Sequence, residues 1–264
     1  MILGIDGKYL NREDEIFVIG EVRDKEFLGV TQDNSALGLE TVLRQELLNR
    51  GKVAIVVNMD MSKLIRGVVK RVFPKADIVA DKFHVITYTN RVIDLCRIAV
   101  EKSVNERFGI KRLLLMKTET LLKLKNKPKW KEKVKRFESL LRTNSELKLL
   151  WDLKNKLHGF YRCRSIETAS ESWNILLWFL DEHAATHPEF RDLKSTLLNW
   201  EEEILNYFIH RTTNAYIEGL NNRIETLKRK KFGFRSKEQF LKALVYMLFP
   251  ISTIFQSLIF THTF

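Results

Sequence analysis

The sequence predicts an α/β protein in which a mixed sheet is followed by a long all-helical region and then by a further helix. Three observations point to this class. The chain has 264 residues, of which 45% are hydrophobic and 30% charged, a composition typical of globular proteins. Its first third alternates short apolar runs with amphipathic helical patterns. Strand patterns then almost disappear between about residue 85 and residue 210, where Lys-rich helical patterns follow one another.

Three strand patterns at the start of the chain predict an antiparallel meander. They cover residues 1–7, 15–22 and 26–31, and a three-residue turn separates the last two. Leucines then recur at helical spacing over residues 36–49. Gly51 follows this helix as a candidate C-cap.

The next elements alternate strand and helix, as in a parallel sheet. Residues 53–57 form a continuous apolar run rich in β-branched residues, which indicates a strand buried on both faces. Ser62 is a candidate N-cap for a helix that ends near residue 72, because Pro74 cannot continue a helix. Asp77–Ala80 is a further short apolar strand. The predicted order is therefore β-β-β-α-β-α-β.

The helical region is predicted to form its own hydrophobic core. Amphipathic patterns cover residues 110–124, 130–150 and 169–182. The tryptophans expected in this core are Trp151, Trp173, Trp178 and Trp200. His183 and His187 have the i, i+4 spacing of metal ligands, but no cysteine or third histidine is near them in sequence. We therefore interpret them as ordinary helix-end histidines.

An excess of basic residues points to a polyanionic partner. Lys and Arg number 45 against 33 Asp and Glu, which gives a formal net charge of +12 and a pI near 9.6. Nucleic acid is the leading candidate and an anionic membrane surface the second. The apolar stretch 244–260 contains Pro250 and several polar residues, so we interpret it as a packing helix and not as a membrane span.

Cysteine usage and the N-terminus both predict a cytoplasmic protein. Cys96 and Cys163 lie far apart and form no CxxC motif, which gives no basis for a zinc finger or a disulfide framework. The first residues carry no basic segment, and Asp6 interrupts their apolar stretch, so they are not a secretory signal.

Three acidic residues stand where a sheet could gather them. Asp6 ends the apolar core of the first strand, where an unpaired charge is costly. Asp60 follows the run 53–57 within three residues, and ligand sites in open sheets form at the carboxyl ends of such strands. Glu218 lies on a helical pattern at residues 212–230, on or near its polar face. The neighbours of Glu218 on or near that face are Asn214, Asn221 and Asn222.

Converging carboxylates repel one another unless they bind divalent cations. Mg²⁺ or Mn²⁺ is typically held by a few carboxylates and the phosphates of a substrate, and two such ions promote phosphoryl transfer. Together with the basic charge, this favours a phosphodiester backbone as the substrate. The pattern alone leaves two interpretations open: a metal-dependent nuclease or transferase, and a plain surface or capping role for each acid.

Four segments of the chain carry a more specific pattern. They are LGIDGKYL (3–10), VVNMDMSK (56–63), FPKADIVADKFHV (73–85) and RTTNAYIEGLNNRIETLKRKKFGFRS (211–236). In residues, order and spacing they resemble the DDE transposases of bacterial insertion sequences, specifically the ISL-three branch. The resemblance covers nearly the whole chain. It implies a ribonuclease-H-like core over residues 1–85 and 211–264, interrupted by an all-α insertion over residues 86–210.

The resemblance also implies a role for each acid. Asp6, Asp60 and Glu218 would be the three catalytic acids and would bind two Mg²⁺ (or Mn²⁺) ions. Water would attack a phosphodiester at the transposon end, and the freed 3′-OH would then attack target DNA. Asp81 is a rival for the second position because it too ends a strand, but Asp60 is preferred because it follows the strand expected beside the first. His84 is a candidate for positioning the third acid or the scissile strand.

The implied partner is double-stranded DNA, both transposon ends and target, bound by a homo-oligomer. A basic run after the third acid is either a DNA-backbone contact or a solvated helix face: Lys228, Arg229, Lys230 and Lys231. Asn221 and Asn222 either fix the orientation of Glu218 or are surface polar residues, and Asn214 and Asn222 are the candidate accessory residues.

The chain departs from the family pattern in two ways. Gly7 follows Asp6 where many relatives are expected to carry an acid, which leaves the triad intact. Full-length relatives have an N-terminal DNA-binding region, whereas this chain starts almost at the first catalytic strand, so we expect a catalytic domain alone. Two alternative functions are a non-catalytic DNA-binding remnant that inhibits a full-length transposase, and a general ribonuclease-H-like nuclease.

Overall fold

The computed structural model describes residues 1–12, 14–104, 110–230 and 236–248. Within these ranges the chain forms two units, each with its own core. The first unit combines Met1–Asp81 with the segment that begins at His210, and the second is Lys82–Ile209.

The first unit is built on a five-stranded mixed sheet. Its strands are β1 (Ile2–Tyr9), β2 (Glu15–Glu21), β3 (Glu26–Val30), β4 (Val56–Met59) and β5 (Asp77–Ala80). The spatial order is β3-β2-β1-β4-β5. β2 pairs antiparallel with both β1 and β3, whereas β4 pairs parallel with both β1 and β5. The predicted α/β class and the predicted antiparallel meander are therefore confirmed.

Helices account for most of the remaining described residues. In chain order they are α1 (Ala36–Glu46), α2 (Lys63–Val72), α3 (Lys82–Val104), α4 (Ile110–Leu114), α5 (Thr118–Lys125), α6 (Pro128–Thr143), α7 (Ser145–Phe160), α8 (Ile166–Glu182), α9 (Pro188–Asn199), α10 (Glu201–His210), α11 (Ala215–Lys230) and α12 (Lys237–Leu248). A 3₁₀ turn, Leu48–Arg50, follows α1.

Side-chain caps fix the ends of the helices next to the sheet. The Ser62 hydroxyl accepts a hydrogen bond from the backbone N–H of Ile65, so the predicted N-cap of α2 is confirmed. The helix predicted over residues 36–49 is shorter: α1 ends at Glu46 and passes into the 3₁₀ turn. Gly51 ends that turn with φ 69°, a left-handed conformation that glycine adopts without steric cost.

Helix α11 covers one face of the sheet and contacts both β1 and β2. Alternation along β1 directs Gly4, Asp6 and Lys8 towards this helix. The apolar part of the interface joins residues of β2, β3, α11 and α12 in one buried cluster: Ile16, Val18, Phe27, Ile217, Leu220, Ile224, Leu227, Phe240, Leu244 and Leu248. This cluster is the core that holds α11 against the sheet.

Helices α1 and α2 lie on the opposite face. Val42 of α1 approaches Gly29 of β3, and α2 packs on α1. Gly29 is paired with Ile19, whose neighbour Val18 points into the α11 cluster. Because successive strand residues point to opposite faces, α1 and α11 lie on opposite sides of the sheet.

Two glycines permit the close approach of α11. A Cβ atom at Gly4 would lie 2.5 Å from both Asn214 Oδ1 and Ile217 Cγ1. A Cβ atom at Gly20, the residue paired with Gly4, would lie 2.9 Å from the ring of Tyr216. Real Cβ atoms do not come this close, so any larger residue would push the helix away from the sheet.

The second unit is helical throughout its described residues and has an aromatic core. Phe160 contacts the rings of Trp173 and Phe208, with centroid separations of 5.2 Å and 4.8 Å. Trp151 packs edge-on against Phe137 at 5.4 Å. The prediction that the tryptophans are buried is correct for Trp151, Trp173 and Trp200. It is wrong for Trp178, whose side chain is 63% exposed.

Two predicted helices are each interrupted. The pattern over 110–124 divides into α4 and α5, because Lys117 is extended (ψ 139°) and the Met116 carbonyl accepts a hydrogen bond from Lys154 Nζ. The pattern over 130–150 divides into α6 and α7 at Asn144. Its side chain caps α7 by accepting from the backbone N–H of Leu147.

The strand predicted over residues 53–57 is displaced towards the C-terminus and begins at Val56. Val53 and Ile55 are each more than half exposed, whereas Ala54 between them is buried. The chain still pairs here, since Ile55 N donates to the carbonyl of Met1 at 3.0 Å. At this end of the sheet one face therefore contacts solvent, and the apolar run is not buried on both faces.

The C-terminal packing helix predicted over 244–260 lies partly outside the described residues, because α12 ends the described chain at Leu248. Among the ranges that the structure describes, no helix combines the length and the apolar character needed to cross a bilayer.

The glycine contact gives a stability prediction. Gly4→Ala should lower the free energy of unfolding by about 1–3 kcal/mol, because the new methyl group overpacks the interface with α11. Urea denaturation followed by circular dichroism measures the change. Gly219→Ala is the matched control: Gly219 lies on α11 with no atom within 4 Å of its would-be Cβ, so the alanine should stabilise the protein by up to about 1 kcal/mol. Equal effects of the two substitutions would contradict the close-approach interpretation.

Candidate active site

Asp6 lies on the α11 face of β1 and is held by a residue of that helix. Asn221 Nδ2 donates a hydrogen bond to Asp6 Oδ2 at 2.8 Å. Asn221 is itself buried. The side chain of Asp6 is therefore fixed from one side by an amide and is half-buried in the sheet.

Asp60 reaches the same level on the neighbouring strand. The parallel register of β1 and β4 pairs Ile2 with Val56 and Gly4 with Asn58. Continued by two residues, this register brings Asp60 opposite Asp6, and adjacent strands lie about 4.8 Å apart. Asp6 and Asp60 lie two residues after Gly4 and Asn58, which are paired. Because side chains two residues apart on a strand share a face, both carboxylates point to the same face of the sheet.

Asp81 extends this row by one strand. The hydrogen bond from Asp81 N to Met59 O, 2.7 Å long, continues the pairing of β4 with β5 to the level of Asp60. Asp81 is buried and stands about two strand spacings, or about 10 Å, from Asp6. The parallel strands thus bring Asp6, Asp60 and Asp81 into one row at their carboxyl ends.

Helix α11 carries a polar stripe that follows β1. Asn214 Nδ2, just before the helix, donates to the carbonyl of Ile5 at 3.0 Å. Further along, Glu225 pairs with Lys8 at 3.1 Å, and Lys228 Nζ donates to the carbonyl of Tyr9. Asn221 contacts Asp6 between these points. Successive residues of α11 therefore contact successive residues of β1, so the helix and the strand run in the same direction.

Glu218 belongs to this stripe. It lies four residues after Asn214 and three before Asn221, and side chains at these spacings share one helix face. Its flanking residues contact Ile5 and Asp6, so the stripe directs Glu218 towards the Asp6 end of the row. The carboxylate of Glu218 is exposed, unlike the side chains of Asn214 and Asn221.

A layer of buried amides underlies the acids, and sequence reasoning identified only part of it. Asn58 is fully buried in β4, and its Nδ2 donates to Thr212 Oγ1 at 2.9 Å. Within the described ranges, Asn58 Oδ1, Asn214 Oδ1 and Asn221 Oδ1 are buried acceptors for which no hydrogen-bond donor is found. The signal for Asn58 was its position, an amide within the apolar run that precedes Asp60.

The donor set of this region suits a hard divalent cation. All its candidate ligands are carboxylate oxygens, and the buried amide oxygens beside them can accept from water bound to an ion. Oxygen ligands of this kind favour Mg²⁺ or Mn²⁺ over metals that prefer sulfur or imidazole. Asp6, Asp60 and Glu218 are therefore the candidate ligands for such an ion, with Asp81 next to Asp60.

The basic residues after Glu218 have different environments. Lys228 is partly buried and is bound to Tyr9 O and Glu225, whereas Arg229 is 80% exposed. The hydrogen bond from Lys8 lowers the pKa of the Glu225 carboxyl, and Lys228 adds to this effect. Lys230 closes α11, and Lys231 lies outside the described residues.

A basic cavity of about 750 Å³ lies beside the start of α11. Arg23, Lys25, Arg211 and Arg223 line it, and Ile2 at the start of β1 forms part of its wall. From Ile2 to Asp6 the strand rises about 13 Å. Sequence reasoning missed this cluster because its members come from separate segments of the chain.

The two remaining predicted accessory residues are Asn222 and His84. Asn222 is exposed on α11, next to the stripe but not part of it. His84 lies in α3 and belongs to the helical unit.

Removal of an amide of the stripe tests its structural role. Asn214→Ala should lower the free energy of unfolding by about 1–3 kcal/mol, because it removes a buried hydrogen bond to β1. Asn222→Ala on the same helix should change it by no more than about 0.5 kcal/mol, since that side chain is exposed. Chemical denaturation measures both, and a neutral Asn214→Ala would contradict the anchoring of α11 through this residue.

Comparison with known proteins identifies the family of this chain. The sequence profile of the DDE_Tnp_ISL3 family, described as transposase, matches residues 3–244. The transposase for insertion sequence element IS1001 of Bordetella parapertussis is 25% identical over 186 residues, which are 70% of this chain. The match spans 45% of the length of that relative. Because the family profile covers most of the chain, from β1 into α12, this chain belongs to the ISL3 family of DDE transposases.

Proposed function

We propose that this chain is the catalytic part of a transposase that cuts and joins DNA during the movement of an insertion sequence. The observation that carries the proposal is the register of the acids. The pairing of Gly4 with Asn58, extended by two residues along the parallel strands, brings Asp60 opposite Asp6. Glu218 lies on a helix face that is hydrogen-bonded to β1 on both sides of it. Membership of a transposase family supplies the reaction class.

The proposal includes a ribonuclease-H-like core. It is supported by the order β3-β2-β1-β4-β5, with the first three strands antiparallel and the last two parallel, and by α11 on the face that carries the acids. In this interpretation residues 1–85 and 211–264 form the core, and residues 86–210 form an all-α insertion between its two parts.

The proposed chemistry consists of two phosphoryl transfers. In the first, water attacks a phosphodiester at the end of the element, a new P–O bond forms and the bond to the 3′ oxygen breaks. The 3′-OH released in this way then attacks a phosphodiester of target DNA, and the target's own 3′ oxygen leaves. Each step breaks one P–O bond and forms another, so neither requires an external energy source.

Asp6, Asp60 and Glu218 would hold two divalent ions, Mg²⁺ or Mn²⁺, which when bound activate the attacking oxygen and stabilise the leaving oxygen. The all-oxygen donor set fits these ions. The remaining residues act on the acids: Asn221 fixes one oxygen of Asp6, and Asn214 anchors the start of α11 and so positions Glu218.

Two residues keep an accessory role in the proposal. Asp81 lies beside Asp60 in the row but farther from Asp6, which favours Asp60 as the second acid. His84 stays a candidate for positioning the third acid or the scissile strand, on the basis of the family resemblance.

Double-stranded DNA is the proposed substrate, bound by a homo-oligomer in the cytoplasm. Arg229, whose side chain is 80% exposed, offers a cation after Glu218, and Lys228, Lys230 and Lys231 are proposed to contact the DNA backbone with it. The basic cavity supplies a second contact, because four cations around one concave surface attract phosphates.

Substitution of the acids tests the chemistry. Asp6→Asn, Asp60→Asn and Glu218→Gln should each lower the rate of strand cleavage at a duplex from the element's own ends by at least about 100-fold, the scale of losing one electrostatic stabiliser. Gel assays with Mg²⁺ or Mn²⁺ measure nicking and joining. Glu225→Gln, on the same helix stripe, is the matched control and should retain activity, because Glu225 pairs with Lys8 and lies beyond Asp6.

The same assays distinguish the alternatives. Duplex binding without cleavage in the unsubstituted protein would support the non-catalytic inhibitor. Cleavage of unrelated DNA or of RNA–DNA hybrids without strand joining would support a general nuclease. If Asp81→Asn abolishes cleavage while Asp60→Asn leaves it intact, the assignment of the second acid is wrong.

The interaction of the cavity with DNA can be tested through its dependence on salt. The double variant Arg23→Gln/Arg223→Gln should weaken duplex binding and reduce the slope of log K against log salt by about 1.8, or about 0.9 for each phosphate that is no longer neutralised. Fluorescence anisotropy over a salt series measures this slope. Arg44→Gln/Arg50→Gln removes the same charge from residues paired with Glu40 and Glu46 and should leave the slope unchanged. Equal effects of the two double variants would exclude a specific role for the cavity.

A further inference from the structure

The helical unit brings together three side chains of the types that bind transition metals. The thiol sulfur of Cys96, a ring nitrogen of His187 and a carboxylate oxygen of Glu189 all lie within 4.8 Å of one another. Cys96 comes from α3, His187 immediately precedes α9, and Glu189 lies in the first turn of α9. All three belong to the second unit, whereas the proposed catalytic acids belong to the first.

A fourth candidate ligand approaches from another helix. Glu146 lies in the first turn of α7, and its Oε2 is 2.8 Å from His187 Nε2. Its side chain is 52% exposed, whereas Cys96 is 5% exposed. The cluster therefore has a buried sulfur at its base and a carboxylate at its mouth, through which an ion can enter from solvent.

From this geometry we infer that Cys96, His187 and Glu189, with Glu146 or water as the fourth ligand, form a binding site for a zinc-like divalent cation. Cysteine, histidine and carboxylate are the ligands of tetrahedral Zn²⁺, with bonds of about 2.0–2.3 Å, so neighbouring ligand atoms stand about 3.5 Å apart. Small side-chain adjustments bring atoms within 4.8 Å to that spacing.

The ligand types separate this site from the catalytic row. A sulfur and an imidazole favour Zn²⁺ and related metals, whereas the all-oxygen row favours Mg²⁺ or Mn²⁺. The two sites can therefore be examined with different metals, and the failure of one proposal leaves the other intact.

The charges at the cluster also favour a cation. Two carboxylates, those of Glu189 and Glu146, lie beside Cys96 and His187. A bound cation offsets this concentration of acidic groups. On binding, the S–H bond of Cys96 breaks, its proton passes to solvent, and the thiolate electron pair forms the bond to the metal.

The site joins three helices of the second unit. Helix α3 packs against both α7 and α9, and the ligands come from all three helices. A bound ion would cross-link these helices, as structural zinc sites do, and would stabilise the helical unit without taking part in phosphoryl transfer.

Cobalt titration tests the site directly. The full chain, freed of metal with a chelator and returned to chelator-free buffer, should bind Co²⁺ with a thiolate signal that corresponds to one ion per chain. Binding should produce thiolate-to-cobalt charge-transfer absorption in the near ultraviolet and the visible bands of tetrahedral cobalt, and Zn²⁺ should remove both. Zn²⁺ should also raise the melting temperature. If folded protein gives no charge-transfer band, the inference is wrong.

Matched variants locate the ligands. Cys96→Ser should abolish the charge-transfer band, whereas Cys163→Ser should retain it, because Cys163 is the second cysteine and lies outside the cluster. His187→Gln and Glu189→Gln should weaken Zn²⁺ binding by at least about 10-fold. The controls are His183→Gln, four residues before His187, and Glu182→Gln, seven residues before Glu189. Both should leave Zn²⁺ binding unchanged.

The variants also separate a bound metal from simple pairing of Cys96 with Glu189 and of His187 with Glu146. If the four residues only form these pairs, Cys96→Ser and Cys163→Ser would give the same cobalt titration, and this result would overturn the site. If Cys96→Ser does not fold, zinc affinities of the histidine and glutamate variants decide the question. Asp60→Asn should retain the cobalt spectrum, because Asp60 belongs to the other unit.

Discussion

The placement of α11 against β1 is the constraint on which the rest of the first unit depends. The strand offers no side chain at Gly4, so the helix comes close enough for Asn214 and Asn221 to bond to its backbone and to Asp6. These two contacts fix the position of the helix along the strand. A shift of α11 by one helical turn would move Glu218 by about 5.4 Å relative to Asp6. This displacement exceeds the separation of two metal ions in a phosphoryl-transfer site.

The interface between α11 and the sheet has an apolar side and a polar side with different roles. Its apolar side, from Ile16 to Leu244, supplies burial that favours folding. Its polar side gathers carboxylates and buried amide oxygens, and each buried acceptor left without a donor costs about 1–3 kcal/mol. Such a layer is unfavourable for stability by itself, which is typical of sites that are organised for binding. The cluster beneath α11 and α12 therefore stabilises a polar edge that would not form alone.

Local signals in the sequence were sufficient for much of the fold. Strand β5 and helix α2 lie where the apolar pattern and the Ser62 cap predict them, because both signals act within a few residues. The split between α4 and α5 was not predicted, since it depends on Lys154, a residue distant along the chain. Trp178 was assigned to the core by residue type, but its helix turns that side chain to solvent.

The site shows the same division between local and long-range information. The three acids could be named from strand ends and a helix face, and Asp81 was recognised as a rival. The preference for Asp60 over Asp81 came from the family resemblance, because local patterns do not give the order of the strands in the sheet. The pairing of Asn58 with Thr212 and the approach of Cys96 to His187 were also inaccessible, since each joins segments separated by much of the chain.

The division of the first unit into two chain segments has a consequence during protein synthesis. Strands β1 to β5 leave the ribosome before the whole of Lys82–Ile209, and α11 leaves only afterwards. At typical translation rates this interval lasts roughly 6–25 s. Throughout it the nascent chain carries the two strand acids but lacks the helix that bears Glu218. Under the proposed function, the three acids can meet only after the last of these segments has been translated.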